Sequence, residues 1–204
     1  MTRLAHENFE NGIMTLPADR SYRWLFWLLA IVGLAADQSS KYLIFGHLYN
    51  EGRGGQLQII PDAFQLTAQF EPHPDEHGIH QPLVNKGALF GMGQGQNLAF
   101  GIVSVIAAVV IIGWSVRPHA GRDAFLCVSL GLILGGTFGN LYDRVVFDGV
   151  RDFLRWYKWF DWYVFNVADV CLVIGAGMLV LEAFLRQPTE EPAAEPALTV
   201  GERE

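Results

Sequence analysis

Apolar residues in this chain fall into four long blocks, and polar residues gather in the gaps between them. The first block, residues 22–45, is long enough to cross a bilayer as one helix and is predicted to do so. Its inner part, 24–36, resembles the core of a secretion signal. No A-x-A cleavage pattern follows, however, because Leu34 and Ala36 occupy those positions, and apolar character resumes at Tyr42. Blocks 98–116 and 124–142 are free of charge and each long enough to span. The seven residues between them, RPHAGRD, form a tight turn that makes these two helices antiparallel neighbours. The last block, 164–186, is the fourth crossing. Gly131, Gly135 and Gly139 recur every four residues on the third helix, a small-residue stripe that lets another backbone approach closely and that packing alone explains.

The gaps carry the polar pattern. Residues 46–96 alternate apolar and polar at 57–60 and 64–70, which predicts a small extramembrane sheet. Residues 71–82, EPHPDEHGIHQP, read as a loop. His73, His77, His80, Asp75 and Glu76 raise a metal site there, but no fixed helix or turn sets ligand geometry and a solvated loop is the favoured reading. Residues 148–163 interleave aromatic and basic side chains, as a segment at the membrane interface does. The flanks differ: 1–21 is a mixed, aperiodic leader on the cytoplasmic side, and 187–204 is an acidic, Pro-rich tail of disordered composition. The membrane domain is therefore 22–186.

Composition agrees with an integral membrane protein: 51% of the 204 residues are hydrophobic and only 17% are charged. The net charge of −7 is partly local, since the tail's five Glu and one Arg supply −4. Aspartates offset the basic residues among the aromatics of 148–163, so a nucleic-acid partner is not expected. The two cysteines fall inside apolar blocks and make no CxxC pair.

Four crossings bring the polar helix ends to one membrane face. Asp37, Lys41, Asn85, Asn140, Asp143, Arg144, Asp152, Asn166 and Asp169 all converge there. Basic residues are evenly divided between the two sides, and only the compact 117–122 loop with Arg20 and Arg23 favours a cytoplasmic assignment for the side away from the cluster. Asn140, Asp143 and Arg144 share a helix face by spacing, as do Asn166 with Asp169 and Asp37 with Lys41. Asp37 with Lys41, or Asp143 with a nearby base, equally well do no more than neutralise charge at a helix end. Asp169 is read as lying more than a turn inside the fourth helix with no base within four residues, so its partner comes from elsewhere, and Asp152 can supply it. Two close carboxylates do not both ionise readily; one keeps a proton and the other becomes a base that activates water.

Rival chemistries fit less well. Ser39 and Ser40 stand beside Lys41, but residues one or two apart on a helix do not face each other. A transporter would carry repeated halves and midplane polar groups. A metal-dependent phosphotransferase, faintly suggested by DGVRDFLR from Asp148, needs an ordered Asp array on facing helices that is missing from the sequence.

DQSSK from Asp37, NKGALFG from Asn85, GGTFGNLYDR from Gly135, VRDF from Val150 and FNVAD from Phe165 follow in the order of the signatures of lipoprotein signal peptidase, or signal peptidase II, a family this chain resembles over residues 24–186. The resemblance implies a monomeric bacterial inner-membrane aspartyl protease with four transmembrane helices, a small extracytoplasmic β-sheet and an interfacial helix. Both termini would be cytoplasmic. It implies cleavage of prolipoproteins just before a diacylglyceryl-modified cysteine, inhibition by globomycin, and no metal or cofactor. Carried over by position, it makes Asp152 and Asp169 the catalytic pair. Asp37, Lys41, Asn85, Gly87, Asn140, Asp143, Arg144, Asn166 and Ala168 take supporting or substrate-binding roles. The chain departs from the family pattern at Leu89, where N-x-G-A-A-F has its second Ala, in a longer loop before Asn85, and at Arg151, where an aliphatic residue usually precedes the aspartate.

Overall fold

The computed structural model describes residues 20–87 and 95–185. Expectations for residues 1–19, for Leu89 and for the tail 187–204 lie outside the described residues. The chain runs through α1 (Arg23–His47), β1 (Gly55–Ile60), β2 (Phe64–Ala68), α2 (Asn97–Ser115), α3 (Pro118–Arg122), α4 (Ala124–Phe147), β3 (Leu154–Trp156) and α5 (Val167–Leu185). Four of these helices, α1, α2, α4 and α5, are long and apolar enough to cross a membrane, so the chain is a multi-pass membrane protein.

The third crossing, α4, sits at the centre of the bundle and packs against all three others. Its glycines explain why. A Cβ on Gly131 would stand 2.7 Å from the Phe26 carbonyl oxygen, and one on Gly135 2.9 Å from that of Ala30, so both positions must be bare for α1 to lie this close. Gly136, one residue round the helix, is closed in the same way by the Ala168 carbonyl of α5. Phe26, Ala30, Leu130 and Leu134 fill the seam, while α2 and α5 turn Leu98, Val103, Val109, Val173 and Phe184 outward, as lipid-facing helices do.

Helix α4 begins at Asp123, whose side chain accepts the Leu126 N–H at 3.0 Å. It ends at Asp148 in the left-handed region with φ 57°. It runs to Phe147 rather than stopping at residue 142, because Asp143 and Arg144 find buried partners and so do not terminate it. The turn between α2 and α4 contains the short helix α3, with Pro118 in its first turn.

The sheet has the order β1-β2-β3, antiparallel throughout. Its first two strands fall where 57–60 and 64–70 predict them, but inward and outward positions are distinguished only in β2; Leu57, Ile59 and Ile60 of β1 are all exposed. The third lies within the interfacial segment 148–163: Leu154–Trp156 is a strand, with Leu154 opposite Leu66 and Trp156 opposite Phe64. Its aromatic and branched residues favour a strand, and the edge of β2 receives it. Beyond it, Trp159, Phe160, Trp162 and Tyr163 are exposed, as side chains at a membrane interface are. Phe45, Ala68 and Phe153 form a small second core that seats the sheet on the end of α1.

Candidate active site

Every polar residue singled out at the helix ends, from Asp37 to Asp169, lies at this same end of the bundle, but they divide into two layers. Asn140 and Arg144 face a cavity of about 250 Å³, shared with Asn85, Gly87, Asp152 and Asp169 and walled by Phe100, Val103, Thr137 and Leu172. Asp143 does not share their face as the spacing suggests. It turns toward α1 and is fully buried.

The inner layer is ionic. Lys41 donates to Asp37 at 2.8 Å and lies 3.3 Å from Asp143. Gln38 donates to Asp37 at 3.0 Å and to Asp143 at 3.1 Å. Arg151 donates to Asp143 through its backbone N–H at 2.9 Å, Nε at 3.2 Å and a terminal nitrogen at 2.9 Å. Two carboxylates thus meet two cations. This matters because an unpaired charge in such a place costs several kcal/mol, on the order of 3–5 when one partner of a buried pair is removed. Asp37 also accepts the Ala168 N–H at 2.9 Å. That amide lies in the first turn of α5, where backbone donors have no intrahelical partner and an anion is favoured. Ala168 itself is fully buried.

The outer layer holds the two remaining aspartates. Asp169 is not more than a turn inside its helix, as the apolar run implied. Helix α5 starts at Val167, because Phe165 is held in a β-bridge, exchanging backbone hydrogen bonds with Leu154 at 2.8 and 3.0 Å. Asp169 is therefore the third helical residue, in a reciprocal cap with Asn166. Its N–H donates to Asn166 Oδ1 at 3.0 Å, and its Oδ2 accepts the Asn166 N–H at 3.2 Å. Its other oxygen accepts from Asn140 Nδ2 at 2.8 Å. Asp152 accepts from Asn166 Nδ2 at 2.7 Å and from Asn85 Nδ2 at 3.1 Å. Asn140 joins the two layers: its Oδ1 accepts from Asn166 at 3.2 Å and from Lys41 at 3.3 Å.

Asp152 and Asp169 are each half-buried, reached from the cavity. Burial pushes the Asp152 carboxyl up to about 7, helped by the Asp169 charge and opposed by the two asparagine hydrogen bonds. A carboxyl so poised holds its proton well above the ordinary carboxylate range while a neighbour is ionised. Arg144 donates to the Asn140 carbonyl at 3.3 Å and to the Gly87 carbonyl at 3.2 Å, and its buried Nε has no partner among the described residues. Gly87 in turn donates to Asn85 Oδ1 at 2.9 Å.

A second cavity of about 270 Å³ touches Asn85 and Asp152 from the sheet side, between Thr67, Gln69, Leu83 and Tyr163. In the loop 71–82, Asp75 accepts the backbone N–H groups of His77 and Ile79 at 2.9 and 3.0 Å and the Gln81 amide at 2.6 Å, so its carboxylate organises the loop itself. Among the described residues, no group of three His, Cys, Asp or Glu side chains is placed to hold a metal ion. Sequence reasoning assigned no role to Gln38 and treated Arg151 only as a departure. The local signal for both was present, since each sits beside an aspartate of the cluster.

The sequence pattern of the family described as Signal peptidase (SPase) II matches residues 29–185. A lipoprotein signal peptidase of Rhodopirellula baltica is 38% identical over 184 residues, covering 82% of this chain and 74% of that protein. One of Pseudomonas putida is 34% identical, covering 88% and 98%. A solved structure titled a bacterial membrane enzyme structure by the in meso method at 2.3 Å resolution superposes with a TM-score of 0.65 at 25% identity, covering 83% of this chain and 92% of that one.

Proposed function

The chain belongs to the signal peptidase II family, whose members remove signal peptides from prolipoproteins, and we propose that it does so as an aspartyl endopeptidase whose Asp152 and Asp169 activate water. The observation that carries this reading is the pair itself. Two aspartates from separate elements face one cavity, each fixed by asparagine amides that share Asn166, and one is raised to about 7.

In the reaction, the ionised carboxylate takes a proton from water as the oxygen attacks the scissile carbonyl, and the protonated one gives its proton to the carbonyl oxygen. The tetrahedral intermediate then collapses: the C–N bond breaks, the leaving nitrogen takes a proton, and the pair returns to its singly protonated state. The asparagine donors hold both carboxylates in place, which supplies the orientation such a step needs. Arg144, with its unpartnered Nε, and the Asn85–Gly87 turn are placed to contact the peptide backbone. The apolar wall from α2, α4 and α5 suits a signal peptide and the acyl chains of a diacylglyceryl-modified cysteine. Cleavage then falls on the amino side of that cysteine.

The enzyme would lie in the bacterial inner membrane with this end extracytoplasmic and both termini cytoplasmic. The test is cleavage of a lipid-modified precursor and of its unmodified counterpart by the purified protein, each with and without EDTA. EDTA-insensitive cleavage of the modified precursor alone is expected. Loss of activity in EDTA overturns the metal-independent aspartyl mechanism, and equal cleavage of both precursors overturns the substrate assignment.

A further inference from the structure

Arg151 is the largest side chain buried anywhere among the described residues, 2% exposed, and it directly precedes Asp152. Its guanidinium lies 4.0 Å from the Phe147 ring centre and 4.4 Å from that of Tyr42. Its edge is taken up by Asp143 and by Gln38 Oε1 at 3.0 Å. Together with the backbone N–H, three of its donors end on the one carboxylate of α4. A lysine could supply the charge but not this planar fork.

Stability alone is a weak reason for such an arrangement, because a well-packed apolar side chain commonly replaces a buried ion pair at no loss. What the arrangement does fix is geometry. The segment runs between backbone pairings at Val150 and Phe153, and its two central side chains go to different places. Arg151 points into the gap between α1 and α4, and Asp152 points into the cavity. Val150 is held by Asn85 at 2.8 and 2.9 Å, and Phe153 by Phe165 and Thr67 at 3.0 and 2.9 Å. Those bonds tie the segment to the sheet and to the start of α5. Among the described residues, its direct hydrogen bonds to α4, the helix that supplies Asn140 to Asp169, come from residue 151.

We infer that Arg151 is a positioning residue for the peptidase reaction: by clamping Asp143 it sets the segment against α4 and so aims the Asp152 carboxylate relative to Asp169. The inference rests on the aspartyl reading. Its charge role is subsidiary, since Lys41 and Arg151 together balance Asp37 and Asp143, while the outer pair shares its cavity with a different cation, Arg144.

The test is a double-mutant cycle on the full-length protein, with Arg151→Met, Asp143→Asn and the double variant, and with Arg151→Lys beside them. Cleavage of a lipid-modified precursor and the thermal midpoint are both measured. Arg151→Met is expected to lower kcat on the order of 100-fold, the scale of a small misplacement at a reacting centre, with KM little changed. On the Asp143→Asn background the same change should lower kcat by no more than about threefold, because the clamp is already gone. Arg151→Lys should recover the thermal midpoint more fully than kcat. Wild-type kcat per folded molecule in Arg151→Met overturns the inference, as do multiplicative losses in the double variant or full kcat in Arg151→Lys. If Arg151→Met does not fold, Arg151→Lys and its cycle with Asp143→Asn decide alone. Asp152→Asn separates the two levels: an inactive Asp152→Asn beside a fully active Arg151→Met sinks only this inference, whereas an active Asp152→Asn sinks the aspartyl reading beneath it.

Discussion

Asn166 binds Asp152 at 2.7 Å with the same amide nitrogen that lies 3.2 Å from Asn140 Oδ1, so one side chain spans the loop carboxylate and the helix that holds Asp169. The outer aspartates are therefore a mechanical unit as well as a chemical one. Asp152→Asn and Asp169→Asn are each expected to lower the cleavage rate by about a thousandfold or more, and the double variant to be little worse than either single one. Asp143→Asn, which removes a partner of Lys41 and Arg151 and not a member of the pair, should be milder. Cleavage near wild type in Asp152→Asn would overturn the assignment of the Asp152–Asp169 pair; Asp143, fully buried and turned away from the cavity, is not placed to replace it.

The proton state of the pair gives a pH signature. Above pH 7 Asp152 loses its proton and both carboxylates carry charge; at low pH both are neutral. The rate should fall on either side, with its alkaline limb near 7. Stability supplies an independent check of sign. A carboxyl raised from 3.8 to about 7 by folding favours the folded state fully below 3.8, and that contribution is lost as pH rises to about 7. The neutral mimic Asp152→Asn should therefore gain thermal stability over wild type as pH goes from 4 to 8. A constant difference across that range would show that Asp152 is not raised.

Much of this was legible in the sequence because membrane helices announce themselves by length. The four crossings and the convergence of polar residues at one end follow from long apolar runs, and the sheet hairpin from the strand-like stretches at 57–60 and 64–70 between them. What was hidden is where polarity does not end a helix and apolarity does not continue one. Asp143 and Arg144 read as the end of the third crossing, yet α4 continues to Phe147 because their charges are met from other elements. Val164 and Phe165 read as helix, yet both precede α5 and Phe165 pairs with Leu154 in a β-bridge. The same cause hid Arg151. A cation in an aromatic segment looks like an interfacial charge unless one knows that the turn at Asp148 brings it back onto Asp143.

Lys41 answers for two carboxylates, Asp37 at 2.8 Å and Asp143 at 3.3 Å. Replacing it by Met leaves a buried excess of negative charge and should destabilise the protein by about 3–5 kcal/mol. Adding Asp37→Asn to that variant should recover part of the loss, since the remaining Asp143 still has Arg151. Unfolding of the two variants in the same detergent compares them directly; equal midpoints would show that Lys41 is not the counter-ion of Asp37.

The arrangement of the crossings fixes sidedness. Single cysteines placed in the β1–β2 turn at Asp62 and in the aromatic loop at Asp161 should be labelled from the same side of the membrane, and one in the α3 turn at His119 from the other. The native Cys127 and Cys171 are buried and should remain silent. Labelling of positions 62 and 161 from opposite sides would contradict the four-crossing arrangement.

The bond from the Ala168 amide to Asp37 has a further meaning for how the protein is made. The ribosome delivers Asp37 long before the helix that needs it, and domains assemble in the order of synthesis. Lys41, which pairs with Asp37 at 2.8 Å in the folded protein, lies one turn along the same helix, so this pair can form before any other helix arrives. With that pair formed, the first helix enters the bilayer electrically silent, and its acceptor is ready when the last helix arrives. Only that arrival brings Asp169 to Asn140, so a nascent chain stalled before the final crossing has no cutting pair to turn on its neighbours.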